Sequence, residues 1–318
     1  MQTIAQAQAT IQDDFATEVL NGLSRRPRSI PCRFLYDARG SELFEQITGL
    51  EEYYPTRTEI GLLERHADDI AEMAGEDVAI VEFGSGSSRK TEILIAALPE
   101  LDAYVAIDIS AAALSEAAIR LRERFPGLEV ITVTGDFNDA IDLPDKLIRT
   151  RKLGFFPGST IGNLGKNEAI GFLKTARELL GADGALLIGV DLKKDESILV
   201  PAYDDSEGVT AAFNLNLLTR INRELGGTFD LAKFAHEAIY NAEAGRMEIY
   251  ITSREDQEVT VLGQPFSFAR GERIHTENSH KYALADIAAM AEAAGWTHAR
   301  AWVDDNNLFS VNMLTQAG

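Results

Sequence analysis

Three short clusters in this chain carry residue types suited to holding a nucleoside. The run VAIVEFGSGSSRKT at 78–91 closes an apolar stretch at Glu82, sets Gly84 and Gly86 close together, and opens a helix near Ser88. Glycine has no Cβ, so the backbone there can turn sharply and lie against a ligand. A second apolar run, 102–110, ends in Asp108, and a carboxylate at a strand tip accepts hydrogen bonds from both ribose hydroxyls. A third run, 128–134, leads into Gly135-Asp136-Phe137, a carboxylate for an exocyclic amine beside a ring to cover an adenine face. Asp108 and Asp136 also suit a plainer role, as caps of the helices that follow them.

The glycine loop separates the kinds of nucleotide site. A phosphate-cradling loop, G-x-x-x-x-G-K-[ST], needs glycine where this chain has Arg89, and a dinucleotide loop, G-x-G-x-x-G, fails at the same residue. The pattern left is the looser one of S-adenosylmethionine-dependent methyltransferases, which make room for a nucleoside without a pyrophosphate. Asp108 alone does not discriminate, because NAD enzymes share it.

These clusters need a sheet to hold them. From 78 to 190 strands alternate with helices: strands at 78–83, 103–109, 128–134, 152–157 and 185–190, helices at 111–124 and 166–180. That alternation implies right-handed crossovers and a doubly wound parallel sheet, with ligands beyond its carboxyl ends. The fourth strand runs into Pro157-Gly158-Ser159-Thr160-Ile161-Gly162-Asn163. Asn163 there is either a turn former or a ligand for a polar substrate group. A polar connector at 191–207, a helix at 208–225 and alternating strands at 235–241, 246–252, 258–262 and 265–269 interrupt the order. The missing helix (283–294) and closing strands (298–303, 308–314) come last. The expected fold is therefore α/β, a class I methyltransferase Rossmann-like doubly wound sheet with a second, smaller α+β substrate domain. The expected boundaries are 57–193 plus 281–318 for the cofactor-binding domain, and 10–56 plus 194–280 for the substrate domain.

Ahead of the sheet, a helix is expected at 13–23 and another at 59–74, separated by the aromatic-rich 31–59. Phe34 and Phe44 read there as packing, whereas Tyr36 and Tyr53 fit packing and pocket lining equally, a tyrosine offering an apolar ring with a polar tip. With 45% hydrophobic and 25% charged residues, the 318-residue chain is ordinary for a globular protein. Its formal net charge of −20 argues against nucleic acid as a partner. One cysteine, Cys32, excludes a disulfide framework and a cysteine-rich metal site. His275 and His280 lack ligand spacing, His236-Glu237 lacks the second His of a zinc protease, and no G-x-S-x-G elbow occurs, so no metal is expected. The polar run MQTIAQAQATIQDDF resembles neither a signal nor a transit peptide, and no apolar run approaches a membrane span. A cytoplasmic monomer acting on a small molecule, away from membranes, is expected.

Longer motifs narrow the reading: F-L-Y-D-A-R-G-S-E-L-F-E-Q-I-T, E-Y-Y-P-T-R-T-E, F-G-S-G-S-S-R-K-T, G-S-T-I-G-N-L, A-Y-D-D-S-E-G-V-T-A-A-F-N and T-E-N-S-H-K-Y. Spread over nearly the whole chain, they resemble the L-histidine Nα-methyltransferases of ergothioneine biosynthesis. The resemblance implies transfer of three methyl groups from S-adenosylmethionine to the α-amine of histidine, giving hercynine. It implies cofactor contacts from Tyr36, Gly84, Ser85, Gly86, Lys90, Asp108, Asp136, Phe137 and Gly158. It places Asn163 and Tyr203 at the substrate carboxylate and amine, Tyr53, Glu277 and Ser279 around the imidazole, and Phe213 in the same pocket. Tyr36 could also relay a proton. Two positions depart from the family pattern: Ile249, where members can carry Met beside the imidazole, and Asn278, between Glu277 and Ser279. They leave open the same reaction on another amino acid, such as tryptophan or tyrosine, and the fold leaves open a non-catalytic binder of the cofactor.

Overall fold

A computed structural model describes residues 4–84, 89–98, 100–109, 111–135 and 141–316. The chain divides into two compact units, Pro55–Lys194 with His280–Gly318, and Met1–Tyr54 with Asp195–Ser279. No helix among the described residues is long and apolar enough to cross a membrane.

Among the described residues the larger unit holds one seven-stranded sheet. Its strands are β1 (Val78–Phe83), β2 (Leu101–Asp108), β3 (Val130–Thr134), β4 (Arg151–Phe156), β5 (Ala185–Asp191), β6 (Trp296–Val303) and β7 (Phe309–Gln316). Their order across the sheet is β3-β2-β1-β4-β5-β7-β6. The first five run parallel, and β7 lies antiparallel to both β5 and β6. Every residue of β1 and β5 is buried, which is why both read as unbroken apolar runs: helices cover both faces. Side chains alternate between those faces. Phe156, Leu186 and Ile188 join Phe172, Leu173 and Met290 on one, while Phe155 and Leu187 join Leu63, Leu94 and Leu121 on the other.

Strand order reverses between β1 and β4, the place where an open α/β sheet leaves a crevice. The carboxyl ends there are levelled by backbone bonds. Gly84 N–H donates to the Ile107 carbonyl at 2.9 Å and Gly135 N–H to the Asp108 carbonyl at 3.0 Å. Below Gly84, the buried Glu82 accepts from the Tyr104 hydroxyl and, at 2.7 Å, from Thr91 Oγ1, tying β1 to β2 and to the helix Arg89–Ala97. Burial pushes the Glu82 carboxyl up to about 7, although both hydrogen bonds pull it down. A second buried carboxylate, Glu59 on the helix Tyr54–Arg65, accepts from Gly158 N–H with both oxygens, at 3.0 and 2.9 Å, and pairs with Lys90 Nζ at 2.5 Å. A Cβ on Gly189 of β5 would stand 1.8 Å from Glu59 Oε1, so glycine is required there by space.

In the smaller unit, strands Arg28–Ser29, Arg273–His280, Arg246–Ser253 and Phe234–Asn241 lie side by side in that order. The helix Val209–Leu225 packs against this sheet through Phe213, Leu217, Leu218, Ile221 and Leu225, the spacing of one helical face, and ends at Gly226 with φ +59°. Strand Arg246–Ser253 alternates strictly, Met247, Ile249 and Ile251 inward. A separate hairpin, Gln257–Val261 with Gln264–Phe268, turns on Leu262 and Gly263, both with positive φ, as a two-residue hairpin turn requires.

Several elements depart from the sequence reading. The helix expected at 59–74 is two, Tyr54–Arg65 and Ala67–Ala74. His66 leaves helical geometry (φ −116°, ψ 17°), and Asp68 and Asp69 occupy the second helix's first turn, where negative charge is favoured. The aromatic segment 31–59 contains the helix Ala38–Thr48, capped by Asp37, whose side chain accepts from Gly40 N–H. The polar connector 191–207 contains the helix Glu196–Tyr203, and 273–280 is a strand.

Two outcomes follow. Gly189→Ala forces Glu59 from its partners and costs about 1–3 kcal/mol, read as a lowered urea midpoint; an unchanged midpoint would mean Glu59 moves aside freely. Glu82 holds its proton more tightly folded than unfolded, so its contribution is complete below the ordinary 4.5 and is lost as pH rises to about 7. Over that window the native chain therefore loses up to about 3 kcal/mol more stability than Glu82→Gln, and parallel stability curves would disprove it.

Candidate active site

In the larger unit the expected ligand residues lie along the strand ends. Gly84 follows β1 with φ +75°, a conformation glycine adopts without strain, and Asp108 is the last residue of β2, partly exposed. Ser85, Gly86, Asp136 and Phe137 lie outside the described residues. Lys90 is the second residue of the next helix and is held by Glu59. An ammonium has three donors, so this pairing fixes the side chain and leaves donors for a second acceptor.

The turn after β4 is pinned at three points. Gly158 (φ +77°) gives its N–H to Glu59, and Ser159 (φ +57°) accepts the Asp191 N–H on its Oγ at 2.9 Å. Gly162 lies so close to the His280 carbonyl that a Cβ would stand 2.9 Å from it. The turn then tightens into the 3₁₀ segment Thr160–Asn163 and brings Asn163, partly exposed, to its end. Glu59 was not among the expected site residues, though it closes the motif E-Y-Y-P-T-R-T-E.

In the smaller unit five rings gather. Tyr36 meets Phe44 edge-on at 5.5 Å and Phe213 at 5.3 Å, Phe44 lies 6.3 Å from Tyr53, and Tyr53 lies 6.3 Å from Tyr203. Edge-to-face rings at these separations attract beyond their buried area. The backbone beside Tyr36 is anchored through Asp37, whose carboxylate also accepts from Asn216 and Arg223, each at 2.7 Å. The Tyr203 and Ser279 hydroxyls share a hydrogen bond at 2.8 Å. Ser279 and Glu277 come from the same strand, Arg273–His280.

Electrostatics reports the crowding of this group. Burial, then the Glu277 charge, pushes the Tyr36 phenol well above its ordinary range, with Cys32, Tyr53 and Tyr203 adding to the shift. The same two causes push the Cys32 thiol up to about 12. Tyr36, Tyr53, Tyr203, Phe213, Glu277 and Ser279 thus form one neighbourhood, a carboxylate and hydroxyls among ring faces. Such a set suits a flat ring bearing an N–H donor. Ile249 is buried in the adjacent strand, where its carbonyl lies 3.2 Å from Thr276 Oγ1. Phe44, read from sequence as packing, bridges Tyr36 and Tyr53. Among the described residues no cluster of three or more His, Cys, Asp or Glu is placed to hold a metal ion.

The chain is similar to known proteins over nearly its whole length. The histidine N-alpha-methyltransferase of Mycolicibacterium smegmatis is 40% identical over 304 residues, 94% of each chain. The protein of the same name from Mycobacterium tuberculosis is 39% identical over 305 residues, again 94% of each. Ergothioneine biosynthesis protein 1 of Neurospora crassa is 32% identical over 92% of this chain and 33% of its own length. Among solved structures, a mitomycin 7-O-methyltransferase superposes with a TM-score of 0.50 at 15% identity, covering 98% of this chain and 70% of that one, a likeness of fold. The sheet is that of class I methyltransferases, as the strand pattern implies. The family described as "Histidine-specific methyltransferase, SAM-dependent" matches residues 15–316, and the chain belongs to that family.

Proposed function

We propose that this enzyme methylates the α-amine of L-histidine three times at the expense of S-adenosylmethionine, giving hercynine. The observation that carries the choice of amino acid is the Glu277 carboxylate beside the Tyr203–Ser279 hydroxyl pair and the Tyr36 and Tyr53 rings. A carboxylate that accepts an imidazole N–H favours amino acids carrying that donor, because an analogue without it forgoes a charge-assisted hydrogen bond.

The residues of the larger unit fit the cofactor. The open backbone at Gly84 and the partly exposed Asp108 at the tip of β2 suit a nucleoside, with Asp136 and Phe137 assigned to its base and Lys90 and Gly158 to its polar end. When bound, S-adenosylmethionine supplies a methyl group on a sulfonium, an electrophile needing no metal. What the chain must do is present the amine unprotonated and in line, a contribution worth several kcal/mol in well-oriented systems. Asn163 and Tyr203 are assigned to the carboxylate and amine, and Tyr53, Glu277, Ser279, Phe213 and Ile249 to the side chain.

Tyr36 keeps its proton at neutral pH, since burial and Glu277 both oppose the phenolate. It therefore acts as a donor, and moves a proton only by passing its own on as another arrives. The enzyme is read as cytoplasmic and acting on a free amino acid; a net charge of −20 opposes phosphate backbones.

The test is mass spectrometry of purified protein with S-adenosylmethionine and L-histidine, with tryptophan and tyrosine in parallel. Trimethylated histidine is expected. Glu277→Ala should lower kcat/KM for histidine roughly 100-fold with the cofactor Kd unchanged. Equal losses in both would sink the Glu277 assignment, and turnover of another amino acid in place of histidine would sink the substrate.

A further inference from the structure

One buried polar chain in the smaller unit belongs to none of the roles assigned so far. His236, on the strand Phe234–Asn241, points Nε2 at the Tyr203 carbonyl at 2.7 Å. Its Nδ1 lies 3.0 Å from Asn214 Nδ2, and that same amide nitrogen lies 2.9 Å from the Tyr250 carbonyl. Asn214 Oδ1 accepts from Thr276 Oγ1 at 2.8 Å. Asn214 and Thr276 are each 1% exposed, so water offers them no alternative partner.

The two carbonyls fix the Asn214 amide and the His236 tautomer. A carbonyl can only accept, so the Asn214 nitrogen facing Tyr250 is the donor end of its amide, and the nitrogen facing Tyr203 carries the imidazole proton. Nδ1 is therefore bare and accepts from Asn214. A second proton would set two donors against each other, and burial, the largest influence on this imidazole, also lowers its proton affinity.

Both ends of the chain reach the candidate site. Tyr203 is the last residue of the helix Glu196–Tyr203, where the final carbonyls have no partner within the helix, and His236 satisfies one of them. Its phenol meets Ser279, and Thr276 immediately precedes Glu277. The helix end is thus tied to the strand of Glu277 and Ser279 twice, once through the Tyr203 hydroxyl and once through His236, Asn214 and Thr276. One tie fixes a distance; two fix an orientation.

We propose that His236 is a positioning residue for amino-acid recognition: with its single proton on Nε2 and Asn214 and Thr276 behind it, it sets the Tyr203 hydroxyl in register with Ser279 and Glu277. This rests on reading those residues as the amino-acid site. It assigns His236 no contact with substrate and no proton transfer.

The test measures KM for L-histidine, kcat and cofactor Kd for variants of the full chain. His236→Leu should raise KM about tenfold while the cofactor Kd stays within twofold, and His236→Gln, whose amide N–H replaces the Nε2 donor, should recover most of the loss. An unchanged KM in His236→Leu overturns the proposal, as does an equal loss of cofactor affinity or a failure of Gln to rescue. Should His236→Leu not fold, Thr276→Val keeps the shape, removes one donor, and should raise KM about threefold; no change overturns the proposal. Glu277→Ala runs alongside. If it leaves KM for histidine untouched, the reading of the site fails and this proposal with it; if it acts while His236→Leu and Thr276→Val do not, only the proposal fails.

Discussion

A charge with no access to water holds the carboxyl ends of the larger unit's strands in place. Glu59 is fully buried, and a buried carboxylate is tolerated only when its oxygens are met by donors. The donors come from different parts of the chain: the Gly158 amide of the turn after β4, and the Lys90 ammonium at the start of the helix after the glycine loop. Gly189 leaves the space in β5. One side chain thereby locates the turn after β4 and the helix after β1, on either side of the point where strand order reverses. Removing it would take from the partly buried Lys90 ammonium and Gly158 amide the acceptor that holds them, which is why this end of the sheet depends on a residue that need not touch a ligand.

The smaller unit meets a different demand with different means. Its candidate site is a carboxylate and hydroxyls held among rings. Order comes from many weaker constraints: edge-on rings, the Asp37 cap with Asn216 and Arg223, and the Tyr203–Ser279 bond. Burial first, and then the Glu277 charge, raises the cost of ionising Tyr36 and Cys32, so both stay protonated. An anion beside neutral hydroxyls and rings is an arrangement that suits a neutral N–H-bearing ring.

How much of this was legible in the sequence follows from burial. β1 and β5 are covered on both faces and announce themselves as apolar runs, and Gly84 and Asp108 could be read from the ends of β1 and β2. Strand Arg273–His280, R-I-H-T-E-N-S-H, could not, because its side chains serve hydrogen bonds and recognition rather than a core. Helix Glu196–Tyr203 was hidden by Pro201 and by charged neighbours. The motif residues Tyr36, Tyr203, Phe213, Glu277 and Ser279 were named through family resemblance, whereas Glu59 and His236 act through other residues. A carboxylate inside a helix pattern, or a lone histidine in a strand pattern, gives no local sign that its partners lie far along the chain.

The pinned turn after β4 bears on how this scaffold can diversify. Gly158, Ser159 and Gly162 are each committed, to Glu59, to the Asp191 amide and to the space beside the His280 carbonyl. Random change in that loop mostly breaks the scaffold before it can alter selectivity. The strand Arg273–His280 meets that turn through the backbone of its last residue, whereas Ser279 meets Tyr203 through its side chain. On the proposed assignment, amino-acid preference therefore shifts at the least structural cost through side chains of that strand, with the pinned turn left as it is.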